Sequence, residues 1–129
     1  MTDLSAGVFR SREGLQNHPD KPVVVFAVWE PILPTDWSAP GTSVLDRLND
    51  HRVRQFWDPG HVVAAVIKKA ETTGQLHPDC CERNGFLWDL TAAYAPGARW
   101  SDNLPEPLLL NGTMVQNADA LESIVAKAK

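Results

Sequence analysis

The sequence predicts an α/β fold in which a mixed β-sheet carries helices on both faces. Residues 23–29 are continuously apolar and rich in β-branched side chains, which is typical of a strand buried on both faces. Residues 62–67 place their apolar side chains on one helical stripe. Strand-like and helix-like segments alternate along the chain, and right-handed crossovers between parallel strands put the intervening helices on both faces of a sheet.

The first strand and the first helix after it are separated by a proline-rich loop. The strand, at residues 23–29, ends before Pro31 and Pro34. Because Thr and Ser are favoured capping residues, Thr42 or Ser43 is expected to begin the helix. Its inward apolar side chains are Val44, Leu45 and Leu48.

A second strand and a second helix follow directly. Apolar and polar residues alternate over 52–57, which indicates a strand. Asp58 is a favoured N-cap residue, and Pro59 suits the first helical position. The helix that they begin is expected to end at Gly74, with its apolar stripe at Val62, Val63, Val66 and Ile67.

The last third of the chain is predicted to hold a strand, a hairpin and a terminal helix. Residues 86–94 predict the strand. Asn111-Gly112 is a strong turn signal and predicts a hairpin between residues 108–110 and 113–115, although residues 89–100 offer an alternative position for that hairpin. Asn117 is expected to cap the final helix, whose inward side chains are Leu121, Ile124 and Val125.

Length and composition indicate one globular domain. The chain has 129 residues, of which 43% are hydrophobic and 22% charged; we expect a single domain over 22–129 preceded by a flexible, polar arm over 1–21. A net charge of −4 argues against a nucleic-acid partner. No apolar run approaches the roughly 20 residues that span a bilayer, and the first residues lack a signal-peptide pattern. We therefore expect no membrane partner and a cytoplasmic location.

Acidic residues follow the predicted strands, where binding sites of α/β proteins commonly open. They are Glu30, Asp36, Asp58 and Asp89. No nucleophile elbow, P-loop, dinucleotide fingerprint or zinc-protease motif occurs in the chain. Whether the protein is an enzyme stays open, and an enzyme that uses these carboxylates with His61 is one hypothesis.

The segment from Asp58 to His61 allows two interpretations. A helix N-terminus offers free N–H groups and can form an anion pocket, here with His61 in the first turn. The simpler interpretation, which we favour, is a capped helix with a solvent-facing His61. If a pocket forms, we expect Trp37, Asp36, Asp58 and His61 to line it. Trp37 and Trp100 are the tryptophans expected in loops, where they can line a pocket or an interface.

The two cysteines of the chain, Cys80 and Cys81, are adjacent. A disulfide between them is unfavourable because neighbouring Cα atoms lie about 3.8 Å apart, below the roughly 4.4–6.8 Å of ordinary disulfides. As reduced thiols they are soft ligands for a thiophilic metal ion, with His77 and Asp79 close in sequence. The alternative is a pair of inert loop thiols.

Several segments resemble thioredoxin-like proteins. Residues 107–115 followed by a helix resemble the end of that fold, and residues 28–36, 52–58 and 88–100 resemble a set of poorly characterised bacterial thioredoxin-like proteins. The resemblance implies a thioredoxin-like mixed sheet, a cis-proline at Pro107, and loss of the opening strand–helix unit. That unit carries the Cys-x-x-Cys motif, which is absent here, so conventional thiol–disulfide oxidoreductase activity is not expected.

A lost opening strand would leave a sheet edge exposed. Either the arm over 1–21 covers this edge or two chains pair there, and we expect a homodimer. The first functional hypothesis is therefore a non-catalytic thioredoxin-like interaction or dimerising module that has no cofactor. The alternative is a thiol-dependent protein that binds a soft metal or metalloid, or senses redox state, through Cys80 and Cys81.

Overall fold

The computed structural model describes residues 12–70, 82–83 and 85–129, and these residues form a mixed α/β fold. Helix α1 covers 12–17 within the described part. The elements that follow are β1 (Val25–Trp29), α2 (Thr42–Leu45) with a 3₁₀ turn (Asp46–Leu48), β2 (Val53–Trp57), α3 (Val62–Ala70), β3 (Glu82–Arg83), β4 (Phe86–Leu87), β5 (Leu90–Ala93), β6 (Leu109–Gly112) and α4 (Met114–Lys127). None of the helices in these ranges is long and apolar enough to cross a membrane.

The first two predicted strands are confirmed and pair in parallel. β1 and β2 are in register from Val25 beside Val53 to Trp29 beside Trp57. A parallel pair needs a crossover, and residues 30–52, which include α2, provide it. The side chain of Gln55 bonds this crossover to the sheet: its amide donates to the carbonyl of Leu45 over 2.8 Å, and its oxygen accepts the indole N–H of Trp29 at 2.9 Å.

The described residues form three small sheets. The parallel β1–β2 pair is one, and the antiparallel pairs β3–β4 and β5–β6 are the others. The mixed α/β class is therefore confirmed, whereas a single mixed sheet in thioredoxin-like order stays a prediction. The strand predicted over 86–94 is broken between β4 and β5, where Asp89 has a left-handed φ of 50°.

The predicted Asn111-Gly112 hairpin is wrong. Both residues belong to β6, with Asn111 beside Thr91 and Gly112 beside Leu90 of β5. Long-range pairing with β5 satisfies the backbone and buries Leu110, so tertiary contacts override the local turn preference. Helix α4 then begins at once, which moves its cap from Asn117 to Thr113.

The starts of the helices also differ from the predictions. Thr113 caps α4 by accepting the N–H of Gln116 at 3.4 Å, whereas Asn117 lies inside the first turn. Gly41 precedes α2 without a side-chain cap. Helix α3 begins at Val62 rather than at Pro59, because Asp58 to Gly60 form a turn before the helix.

Pro107 is not preceded by a cis bond, so that prediction is wrong as well. The cis peptide bond of the described residues joins Gly112 and Thr113. The N–H of Leu108, directly before β6, donates to the carbonyl of Ala93 over 2.7 Å. This bond attaches the chain to the end of β5 one residue before β6 begins.

The core is thin. The buried apolar side chains of the described residues are Leu15, Leu48, Ala64, Leu87, Leu110 and Val125. Leu15 belongs to the segment 1–21 that was predicted to be a flexible arm. Residues 12–21 of that segment lie against the domain, where Leu15 is buried and the ammonium group of Lys21 donates to the carbonyl of Ala128 over 3.0 Å. Residues 1–11 lie outside the described residues.

Candidate functional site

Two carboxylates lie at one edge of the parallel strand pair. Glu30 directly follows β1, and Asp58 directly follows β2. Because the strands are parallel, their carboxyl ends meet at the same edge. A hydrogen bond of 2.8 Å from the N–H of Asp58 to the carbonyl of Trp29 fixes the two strand ends relative to each other.

Glu30 and His61 form a hydrogen-bonded acid–base pair at this edge. Glu30 Oε2 lies 3.0 Å from His61 Nδ1, and their side chains are only 13% and 11% exposed. The backbone of His61 has a left-handed φ of 54°, which is uncommon for a residue with a side chain. The expectation of a solvent-facing His61 is therefore wrong, because the ring is buried against Glu30 at the end of β1.

Burial controls the electrostatics of this pair. Removal from water raises the pKa of the Glu30 carboxyl above 4.5. The hydrogen bond and charge of His61 oppose this rise in the pKa, and the nearby charge of Asp58 adds to it. A carboxyl with a raised pKa bonded to an imidazole can exchange a proton with it, which is the elementary step of acid–base chemistry.

Asp58 has a structural task at the start of α3. Its Oδ2 accepts the N–H of Val63 at 2.9 Å, as an N-cap side chain does. The carboxylate therefore lies where an anion bound to the N-terminus of α3 would lie. This geometry favours the capped-helix interpretation of residues 58–61 over the anion pocket.

The remaining residues of the predicted pocket lie elsewhere. Asp36 closes its own loop, since its Oδ2 accepts the N–H groups of Ile32 at 2.9 Å and Leu33 at 2.7 Å. Trp37 is 86% exposed. The structure thus brings Asp58 and His61 together with Glu30, while Asp36 and Trp37 form a solvent-facing loop.

Asp89 and Trp100 also have local partners. Asp89 Oδ1 accepts the N–H of Met114 at 3.2 Å and so binds the first turn of α4. Trp100 packs edge-on against Tyr94, with the ring centroids 6.2 Å apart. Burial raises the pKa of the Tyr94 hydroxyl, and a hydrogen bond with Trp100 partly offsets this change in the pKa. The Asp89 bond thus joins the start of β5 to the start of α4, and the Tyr94–Trp100 contact lies within the connection between β5 and β6.

A cavity of about 310 Å³ lies between α3 and the β3–β4 hairpin. Its lining consists of Ala64, Ala65, Lys68, Lys69, Gly85 and Leu87. Glu30, Asp58 and His61 are not part of this lining, so the cavity and the acid–base pair are separate features.

The predicted metal ligands Cys80, Cys81 and His77 lie outside the described residues. Over residues 12–70, 82–83 and 85–129, no three His, Cys, Asp or Glu side chains are grouped as metal ligands. The metal hypothesis thus rests on the sequence.

One surface was missed by the sequence analysis. Val24, Phe26 and Val28 point to one side of the parallel pair, with Phe56 beside Val28 in the register. These four side chains form the apolar sheet face; they are 65%, 62%, 36% and 50% exposed, respectively. The rings of Phe26 and Phe56 lie 6.0 Å apart. The prediction that residues 23–29 are buried on both faces is therefore wrong within the described residues.

The sequence carries only a partial signal for this face. The continuous apolar run of β1 cannot distinguish a strand covered on both faces from a strand covered on one. In β2, Arg54 shares the side of Phe56, and both are exposed. A polar residue at position 54 is the sequence feature that indicates that this side of the strand pair faces solvent or a partner.

Comparison of the chain with protein-family models, with curated proteins and with solved structures finds no match.

Proposed function

We propose that the protein is a non-catalytic interaction module that forms a homodimer through the apolar sheet face. The observation that carries this proposal is the exposure of Phe26 and Phe56 side by side on a sheet. The largest apolar patch on a monomeric protein typically covers about 300–600 Å² and is often functional. The thioredoxin-like character of the module is part of the proposal and rests on the sequence resemblance.

The acid–base pair gives less support to a catalytic function. Glu30 and His61 bind each other, and both side chains are largely buried. Neither Glu30 nor His61 lines the cavity of about 310 Å³ beside α3. A role in fixing the end of β1 to the start of α3 explains these contacts without a substrate.

The area of the apolar sheet face fits a modest dimer. A whole aromatic side chain has about 150–250 Å² of surface and a whole valine side chain about 100 Å². Multiplied by the exposed fractions given above, these areas give roughly 300 Å² of exposed apolar surface for the two phenylalanines and two valines. A standard interface removes about 800 Å² per partner, of which about 450 Å² is apolar. The face therefore supplies most of the apolar area that one partner contributes to such an interface.

A second copy of the chain is the occupant that this face suits. The face is apolar except for the neighbouring Arg54, so its partner must be apolar at the centre. A second copy offers the same patch, and two sheets pack face to face about 10 Å apart through such side chains. A two-fold axis through the patch would bury Phe26 and Phe56 of both copies at once.

Sedimentation equilibrium of the purified chain tests the proposal. We expect a dimer with a micromolar dissociation constant, and a dissociation constant at least about tenfold higher for Phe26→Ser or Phe56→Ser, equivalent to about 1.4 kcal/mol or more. Trp37→Ser is the matched control, because Trp37 is an exposed aromatic residue outside the face. A wild-type monomer at high micromolar concentration, or equal effects of all three variants, would contradict the proposal.

A second candidate function is binding of a thiophilic metal ion. Adjacent Cys80 and Cys81, with His77 three residues earlier, provide soft ligands within five residues of sequence. Native mass spectrometry with copper(I), zinc or arsenite tests this candidate. One ion per chain, lost in the Cys80→Ser/Cys81→Ser variant, would support it; equal uptake by both proteins would exclude these thiols as the site.

A further inference from the structure

The guanidinium of Arg52 is the centre of a buried polar cluster. Arg52 lies directly before β2 and is 8% exposed. It binds the carboxylate of Asp50 with two hydrogen bonds, Nε to Oδ1 at 2.9 Å and Nη2 to Oδ2 at 2.8 Å. This bidentate geometry is the strong form of an arginine–carboxylate contact. The Asp50 carboxylate therefore balances the charge of Arg52 and orients its plane.

The remaining N–H groups of Arg52 bind the backbone of residues 12–21. Nη2 donates to the carbonyl of Leu15 over 2.8 Å, and Nη1 donates to the carbonyls of His18 at 2.7 Å and Lys21 at 3.2 Å. With the two bonds to Asp50, each of the five N–H groups of the guanidinium has an acceptor. The carbonyl of Leu15 lies in the last turn of α1, where a cation also complements the helix dipole.

A second set of contacts joins the same segment to α4. Glu122 Oε1 accepts the side-chain amide N–H of Asn17 at 3.2 Å and lies 3.3 Å from Nε2 of His18. Helix α1 lies close to α4 at Gly14, where an added Cβ would lie 3.8 Å from the Cβ of Glu122. Residues 12–21 therefore touch the start of β2 on one side and α4 on the other.

These contacts matter because they connect two groups of elements. Within the described residues, one group is the strand pair β1 and β2, which contact each other extensively. The other group is β5, β6 and α4, which pack together. We infer that residues 12–21 form a strap that holds the parallel strand pair on α4. The hydrogen bonds of Arg52 to the strap carbonyls keep the strap in place.

The strap is able to open as a unit. Most of its polar attachment to the strand pair passes through one side chain, so loss of that side chain releases several carbonyls together. Leu15 and Leu48 line a small cavity under the strap together with Asp50. Opening would expose both leucines and release the strap from Glu122 of α4. It would change the relation of the two groups of elements without unfolding either one.

Hydrogen–deuterium exchange of the full chain tests this inference. Arg52→Lys keeps the charge but cannot bind a carboxylate and three carbonyls at once. We expect amides of residues 12–21 to exchange at least about tenfold faster in this variant, equivalent to about 1.4 kcal/mol of opening free energy, while β5, β6 and the C-terminal half of α4 keep their protection. Arg99→Lys is the control, because Arg99 is an exposed arginine outside both the strap and the apolar sheet face.

Two results would overturn the inference. One is unchanged exchange of residues 12–21 in Arg52→Lys. The other is an equal rise throughout the chain, which would make Arg52 an ordinary stabilising residue. If Arg52→Lys does not fold, Glu122→Ala removes the attachment of the strap to α4 instead. Ser123→Ala is its control, because Ser123 is exposed on the same helix. Unchanged exchange of the strap amides in Glu122→Ala would then contradict the inference.

Discussion

The Glu30 carboxylate and the His61 imidazole, 3.0 Å apart, join the end of β1 to the start of α3. The pair lies at the carboxyl edge of a parallel strand pair, beside Asp58. The pKa shifts of Glu30 in this pair and of Asp50 beside Arg52 give two pH-dependent contributions to stability.

Replacement of Glu30 by Gln is expected to make the chain more stable at pH 7 than the wild type. Burial raises the pKa of the Glu30 carboxyl above its value of 4.5, so the folded state favours the neutral form. The stability of the wild type therefore falls as the pH rises from below 4.5 through the raised pKa, and Gln removes this loss. Urea unfolding at pH 4 and pH 7 measures the effect. A variant that is less stable than the wild type at pH 7 would show that the attraction of His61 outweighs the cost of burial.

Asp50→Asn is expected to lose about 1–2 kcal/mol of the free energy of unfolding at pH 7, after allowance for solvent screening. The hydrogen bonds from Arg52 lower the pKa of Asp50 from 3.8 to about 2. The stabilisation is therefore complete above pH 3.8 and disappears as the pH falls through about 2. Acid titration of stability with urea measures this window. Asp46→Asn, an exposed acid of the preceding turn, is the control and should leave the curve unchanged.

Asp58→Ala is expected to destabilise the chain by about 1 kcal/mol, because Val63 loses its capping acceptor. Asp58→Asn keeps an acceptor and should cost little, although it removes a charge. Since the Asp58 charge raises the pKa of Glu30, that pKa should fall in both variants. Thermal unfolding and NMR titration of the Glu30 carboxyl provide the two measurements. Equal losses of stability in Ala and Asn would contradict the capping role.

Leu110→Ala is expected to cost about 2–4 kcal/mol of stability, because it leaves a cavity under β6. Leu110 is buried, whereas Leu108, two residues earlier, is 57% exposed. Leu108→Ala is therefore the matched control and should change stability by about 0.5 kcal/mol or less. Guanidinium unfolding of the two variants measures the difference. Similar losses would mean that Leu108 meets a partner, which is itself informative about association.

The elements with strong local patterns were predictable from the sequence. The apolar run of β1, the alternation in β2 and the apolar spacing in α3 predict where those elements lie, because periodicity is a local property. The predicted inward stripe of α3 is wrong at Val62 and Val66, which are exposed. The Asn111-Gly112 segment shows the limit of such reasoning. Its turn preference is worth little compared with the backbone partners that β5 provides, and these partners lie about 20 residues away in sequence.

The candidate site was predictable only in part. The strand-end positions of Glu30 and Asp58 followed from the predicted strands. The contact of His61 with Glu30 did not, because it depends on a left-handed backbone at His61 that no local pattern requires. Arg52 gave no signal at all, since an arginine that binds backbone carbonyls looks like any surface arginine in a sequence.

Within the described residues, strand β1 is fixed at both ends while its apolar side is exposed. The contacts of Arg52 with residues 15–21 hold the chain that enters the strand, and the Glu30–His61 pair holds the chain that leaves it. A partner that docks on Phe26 and Val28 thus meets a surface whose backbone is already ordered. Its association would lose little conformational entropy, so a small apolar area can still give measurable affinity through preorganisation.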